Sequence, residues 1–198
     1  MYSENTQNSQ KISGVIKNLS SIVIDILDSV LKAFIIILIL TTFCFKLCTV
    51  VGSSMDQTLA NGERLIISNI FYTPKENDIV VFHHLDPLND PGVKRIISTG
   101  GKWLKIDYDN ALLYRSDDEI FDDTEIVDES SYIYLSNGKY NSKGSLVIYV
   151  PEGYVFVMGD NRNGSLDSRS PSIGVIDERT ILGKVILRIN PETFGPIN

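Results

Sequence analysis

Three stretches of this 198-residue chain carry side chains that could do chemistry. The densest is Met158-Gly159-Asp160-Asn161-Arg162-Asn163-Gly164-Ser165-Leu166-Asp167-Ser168-Arg169, where carboxylates, guanidinium groups, amides and hydroxyls leave little room for a packed core. It begins where the apolar run Val155-Phe156-Val157-Met158 ends, and polar groups at the end of a rigid strand are well placed to hold or activate a reacting group. The other two are Val50-Val51-Gly52-Ser53-Ser54-Met55-Asp56-Gln57-Thr58-Leu59, which presents serine hydroxyls, and Gly92-Val93-Lys94-Arg95-Ile96-Ile97, which sets a lysine among apolar residues. Each also has an ordinary reading. The loop can be a solvated turn whose Asp and Arg residues pair and whose Asn-Gly step bends tightly. Ser54 can belong to a plain turn, and Lys94 can be the charge of an edge strand.

The elements that must position these residues follow from the rest of the chain. Its length suits one compact domain of ordinary size with a short appendage. A net charge of -7 and the lack of a concentrated basic face exclude a nucleic-acid binder. The two cysteines, Cys44 and Cys48, stand four apart in an apolar run, which would stack them on one helix face in a packing role. With His83 and His84 alone, no metal-ligand set is completed and no metal or other cofactor is expected. The residues after Cys48 hold no cysteine, so no disulfide is expected there.

Residues 1–20 read as a polar tail. From 21 to 51 runs an apolar segment whose densest part, Ala33 to Phe45, is uncharged and bracketed by Lys32 and Lys46. Both lysines can snorkel, so a span over about 30–50 would cover the roughly 30 Å hydrocarbon core at about 1.5 Å per residue. A cleaved leader is disfavoured, because the run starts far from Met1 and no small-x-small cleavage signature follows it. A core helix would be amphipathic, whereas Ala33 to Leu40 is apolar all round. The expectation is a single transmembrane helix, with the N-terminus cytoplasmic and residues 52–198 external, since lysines before the span modestly outnumber those just after it. After the anchor, β-rich runs recur at 64–68, 78–82, 93–97, 103–108, 132–135, 145–150, 154–158 and 181–189. Pro74, Pro87, Asp109-Asn110, Asn137-Gly138 and Glu152-Gly153 separate them as turn signals. The fold class expected is therefore mainly β, with coiled antiparallel sheets or a partial barrel. Between Asp117 and Glu129 lie eight acids and no Lys or Arg, which reads as a solvated acidic insertion over 115–131.

Taken together in order, these pieces resemble the type I signal peptidases, membrane-bound Ser/Lys endopeptidases that remove signal peptides from exported precursors. Ser54-Met55 is similar to the family's nucleophile box, Asn61-Gly62-Glu63-Arg64 to its Gly-acid-Arg step and Asn77-Asp78-Ile79-Val80-Val81-Phe82 to the strand that follows. Val93-Lys94-Arg95-Ile96-Ile97 is similar to the lysine box. Val150-Pro151-Glu152-Gly153, Gly159-Asp160-Asn161-Arg162 and Asp167-Ser168-Arg169 resemble the last box, and Gly183-Lys184 the closing strand. The endoplasmic-reticulum branch carries His where Lys94 stands, and Gly52 occupies the place of a serine found in some members. The resemblance is therefore to the bacterial, single-spanning, Gram-positive-like type, a monomer at the cell membrane with signal peptides and lipid as its partners.

The resemblance implies Ser54 as nucleophile and Lys94 as general base. It implies Ser165 as the hydroxyl that orients the lysine, Asp167 and Arg169 as an ion pair supporting the loop, and Asp160 with Arg162 as further structural members. The oxyanion would meet the backbone N–H of Ser54, with Ser53 a candidate second donor. A lysine with an ordinary pKa near 10.4 is neutral about once in a few thousand at pH 7, so burial must lower that pKa for the base to work. Val50, Met55, Leu59 and Val93 would line a shallow pocket for the short side chains the family prefers before the scissile bond, and the substrate would add as a strand alongside Val93 to Ile97. Two departures stand out: Gln57 where the family usually has Pro, and Ser98-Thr99-Gly100-Gly101-Lys102 where it has Gly-Leu-Pro-Gly-Asp. They motivate one alternative, a processing enzyme dedicated to one secreted or pilus-type substrate; a catalytically silent anchored β-domain is a second alternative, from another class.

Overall fold

A computed structural model of the chain describes residues 2–83, 91–122, 124–135, 138–190 and 194–196, with the side chains of residues 2–17, 40 and 43 outside that description. His84, Pro87 and Asn137 also lie outside the described residues. The chain divides into two compact units, Met1–Cys44 and Phe45–Asn198. The first is a single helix, α1 (Tyr2–Phe43). Its apolar side chains from Val30 and Leu31 through Phe34 to Ile39 are all exposed. Lys32 pairs with Asp28 one turn earlier at 2.6 Å. Among the described residues, no helix is long and apolar enough to cross a membrane.

The helix ends at Phe43, and the last part of the expected span is extended instead of helical. Lys46–Thr49 forms β1, paired antiparallel with β2 (Arg64–Ser68), Lys46 facing Ile67 and Thr49 facing Arg64. Cys48 is therefore a strand residue, and the expected stacking of Cys44 and Cys48 on one helix face does not occur; both thiols are free. A ready ladder on β2 outweighs an apolar pattern that periodicity alone cannot assign to helix or strand.

The second unit is mainly β and antiparallel. Its further strands are β3 (Ile79–His83), β4 (Pro91–Ser98), β5 (Lys102–Asp107), β6 (Leu112–Ser116), β7 (Thr124–Ile126), β8 (Ser145–Val150), β9 (Tyr154–Met158), β10 (Ile176–Asp177) and β11 (Ile181–Ile189). They form a seven-stranded sheet ordered β1-β2-β11-β3-β4-β9-β10 and a four-stranded sheet ordered β7-β6-β5-β8. Period-two alternation lets single strands supply two cores at once. Ile79 and Val81 of β3 enter a cluster with Val50, Met55, Leu59, Leu65 and Val185. Val80 and Phe82 enter another with Ile96, Val155, Val157 and Ile176. In the same way, Phe156 and Met158 of β9 face a third cluster with Ile97, Leu104, Ile106 and Leu113. Strands buried on both faces hold the neighbourhood of Lys94 rigid.

Two sequence expectations change. Residues 132–135 form no strand; Tyr134 makes an isolated bridge with Asn161, and the ring of Tyr132 stacks on the Arg95 guanidinium, 4.0 Å from its centroid. The acidic segment is not uniformly solvated. Thr124–Ile126 pairs with β6, Glu125 binds Arg115 at 2.7 Å, and Glu129 is only 6% exposed. Within the altered turn at 98–102, Gly100 approaches the chain so closely that a Cβ there would lie 2.5 Å from the Pro151 carbonyl oxygen. Lys102, whose charge is opposite to the family's usual acid, lies 3.6 Å from Glu76.

Phe156 is fully buried between the sheets. Phe156→Ala is expected to cost about 3–5 kcal/mol of stability through the lost contacts and the cavity left behind, read as a lower denaturant midpoint with an unchanged slope.

Candidate active site

Ser54 sits in a tight turn just after β1, and the residues around it explain why the turn is fixed. Val50 N–H donates to Glu63 O, Gly62 N–H donates back to Val50 O, and Gly52 N–H donates to Asn61 Oδ1 at 2.9 Å. Met55 and Leu59, each 1% exposed, anchor the turn in the core, and the N–H of Leu59 closes onto Met55 O at 2.8 Å. Within it Gln57 has φ of 84°, in the left-handed region. Proline is locked near about -65° and cannot adopt that conformation, so the backbone here differs from one a proline would impose.

Lys94 reaches Ser54 from β4. Its Nζ lies 2.7 Å from Ser54 Oγ and donates a second hydrogen bond to Val93 O at 3.0 Å. The residue is 7% exposed. Burial pushes its pKa below the ordinary lysine value, and the carboxylates of Asp167 and Asp160 offset part of that effect. Both carboxylates are matched to arginines. Arg95 holds Asp160 through two bonds of 2.9 and 2.8 Å in a fully buried pair, and Thr58 Oγ1 donates to the same carboxylate at 2.6 Å. Arg169 holds Asp167 through Nε at 2.7 Å and Nη2 at 2.8 Å. Burial alone would raise the Asp167 carboxyl, but Arg169 and the N–H of Gly159 outweigh it and hold it below the usual carboxylate range.

The polar loop meets the Ser54 turn through its backbone. Asn161 N–H donates to Ser54 O at 3.1 Å, and Asn161 Nδ2 donates to Ser53 O at 3.0 Å. Gly159 is so close that a Cβ there would lie 2.4 Å from Ser54 O and 2.3 Å from Ser165 Oγ. Arg162, 1% exposed, donates through Nε to Gly159 O at 3.1 Å and forks onto Glu129.

The structure thus brings together Ser54, Lys94, Asp160, Asp167 and Arg169, and corrects three other expectations. Ser165 Oγ is buried and forms no hydrogen bond with Lys94, which bonds Ser54 and Val93 instead; the Ser165 hydroxyl bears on Asp167, whose carboxyl it helps to hold down. A cavity of about 370 Å³ beside Ser54 and Lys94 is walled by Val50, Met55 and Val93, but Leu59 lies in the buried core cluster and does not line it. The strand from Val93 to Ile97 is only partly open. Arg95 and Ile96 pair with β9 on one side and with β3 or the residues just before it on the other, leaving Pro91 to Lys94 paired with β3 alone. Arg95, Thr58, Tyr132 and Glu129 were not legible as site members. Arg95 stood beside the lysine in a β pattern, but its carboxylate lies 65 residues away in the chain.

A serine hydroxyl set against a buried lysine on an antiparallel β framework is an arrangement for hydrolysis by a serine nucleophile. Residues 23–190 match the family described as signal peptidase, peptidase S26, and the chain belongs to that family. It is accordingly a serine endopeptidase of the signal peptidase I type. It is 35% identical over 189 residues to signal peptidase IB of Staphylococcus aureus, covering 86% of this chain and 93% of that protein. It is 31% identical over 169 residues to probable signal peptidase I-1 of Synechocystis, covering 80% and 78% respectively. A crystal structure of a signal peptidase I from Enterococcus faecalis V583 overlaps 57% of this chain and 97% of that one, with 25% identity and a TM-score of 0.43.

The buried Arg95–Asp160 pair yields a stability test. Asp160→Ala is expected to cost about 3–5 kcal/mol, because it strands a buried guanidinium, whereas Arg95→Met combined with Asp160→Leu should recover much of the loss. Urea denaturation of the two variants beside the wild type measures both effects.

Proposed function

We propose that this signal peptidase cleaves its substrates with Ser54 as nucleophile and Lys94 as general base. The observation that carries the reading is the 2.7 Å contact between Lys94 Nζ and Ser54 Oγ at a lysine kept from water. The same separation serves either protonation state. With Lys94 neutral, the hydroxyl proton passes to Nζ as Oγ attacks the scissile carbonyl carbon. The tetrahedral oxyanion then accepts from the N–H of Ser54, which donates to no protein acceptor among the described residues. Ser53, whose side chain is exposed beside it, is the candidate second donor. Collapse expels the amine of the mature protein, which takes the proton from Lys94, and water deprotonated by Lys94 releases the acyl group from Ser54.

Substrate selection follows from the walls. An extended peptide can add along Pro91 to Lys94, where the ladder is open, and place a short side chain against Val50, Met55 and Val93. A shallow apolar pocket rejects bulky side chains sterically. The external orientation of the β unit and a membrane anchor within residues 21–51 belong to the same proposal. The anchor is supported by the consecutive exposed apolar side chains from Phe34 to Ile39, which have no place in water. Anchoring would hold the enzyme at the surface where a signal peptide's own apolar segment ends, raising its effective concentration.

Cleavage of a model preprotein in detergent tests the dyad. Ser54→Ala and Lys94→Ala are each expected to lower kcat by at least about a thousandfold; full activity in either would remove that residue from the mechanism. The pH dependence has a definite sign. Only neutral Lys94 accepts the proton, so the rate falls as pH drops through its pKa. Because burial lowers that pKa, the fall lies below the range in which an ordinary lysine titrates. A rate that stays flat down to pH 4 would contradict a lysine base.

A further inference from the structure

The acidic segment lies outside every motif that carries the family resemblance, yet its last carboxylate faces inward. Glu129, 6% exposed, accepts from Arg162 Nη1 at 2.6 Å and from Nη2 as well, a two-pronged pairing that fixes the plane of the guanidinium. The remaining donors of Arg162 are thereby aimed. Nη1 also reaches Tyr140 OH at 2.8 Å, and Nε reaches Gly159 O at 3.1 Å. Gly159 abuts the Ser54 carbonyl so closely that a single added carbon would lie 2.4 Å from its oxygen. Two residues on, Asn161 N–H donates to that same oxygen at 3.1 Å.

The residues that follow Glu129 reinforce this path. Tyr134 N–H donates to Asp160 O at 2.9 Å and Tyr134 O accepts from Arg162 N–H at 3.3 Å, a backbone clasp on the loop. The ring of Tyr132 covers the guanidinium of Arg95, the neighbour of Lys94, while its hydroxyl donates to Glu129 Oε1 at 3.3 Å. One short segment thus touches the supports of both the serine and the lysine.

We infer that Glu129 is a positioning residue of this peptidase, which, acting through Arg162 and Gly159, sets the Ser54 carbonyl and hence the placement of Ser54 Oγ against Lys94. The inference rests on the Ser54 and Lys94 roles proposed above. Without Glu129, a buried guanidinium must find another acceptor, and the peptide at Gly159 moves with it. A misplacement of about 1 Å at a reacting group costs on the order of a hundredfold in rate.

The test is steady-state cleavage of a peptide spanning a signal-peptide junction by the full chain in detergent, with thermal melting of the same samples. Glu129→Gln is expected to lower kcat about 10- to 100-fold with KM within about twofold. Glu129→Asp, which keeps the charge but shortens its reach, should give an intermediate loss in a protein that melts near the wild type. Arg162→Gln combined with Glu129→Gln should be no worse than the poorer single variant, since both changes break one path. An unchanged kcat per folded molecule with a lowered melting temperature would show a merely structural pair and overturn the inference, as would losses that multiply in the double variant. Should Glu129→Gln fail to fold, an undiminished kcat in Glu129→Asp overturns it equally. Ser54→Ala and Lys94→Ala run in parallel: activity in either defeats the dyad reading itself, whereas two inactive controls beside unaffected Glu129 variants defeat only the role of Glu129.

Discussion

A lysine can accept a proton near neutral pH only if water is kept from its ammonium form, and the desolvation of Lys94 is the constraint around which the β unit is arranged. Burial would be undone by any free carboxylate nearby. Asp160 and Asp167 are both close enough to favour the charged lysine, and each is held by its own arginine, Arg95 or Arg169. The charges of the loudest motif in the sequence are therefore largely cancelled in pairs. What remains for Lys94 is an apolar wall, the carbonyl of Val93 and the hydroxyl of Ser54.

Cancelling charges in a dry interior demands geometry, because a misplaced partner leaves an uncompensated ion. The sheets supply that geometry. β3 and β9 are buried on both faces and flank β4, so the strand carrying Lys94 and Arg95 has little freedom to shift. Asp160 and Arg162 follow directly from β9, and the segment after the acidic run clasps them from outside. Core packing and ion pairing here are one construction, since the strands that bury the apolar clusters also deliver the charged side chains to one another.

Much of this was legible from residue patterns. Strands at 64–68, 145–150, 154–158 and 181–189 form over those residues, because β-branched and aromatic runs between turn signals pointed to them clearly. β6 is not legible in the sequence because Arg115, which interrupts the apolar alternation of Leu112–Ser116, is buried through bonds to Glu125 and Ile97 O that only the folded chain supplies. β1 was hidden inside an apolar run whose period suits helix and strand alike. Ser54 and Lys94 could be singled out through motif order, but the partners that control the lysine could not. Arg95 meets Asp160 across 65 residues and Arg162 meets Glu129 across 33, and no spacing rule links such pairs. Ser165 shows the opposite failure, a motif position whose implied contact is absent from the fold.

The half-open ladder of β4 also acts as a ruler. Among the described residues, both sides of the strand are occupied towards Ile96, Pro91 at the other end has no N–H to give, and the stretch from Pro91 to Lys94 is paired on one side alone. At about 3.3 Å per residue, that stretch is roughly 13 Å long. On the proposal that a substrate adds there, recognition over so short a length would read backbone shape and one or two small side chains and leave the rest of the visitor's sequence unread. The same brevity keeps the exposed edge from serving as a template on which further strands could stack.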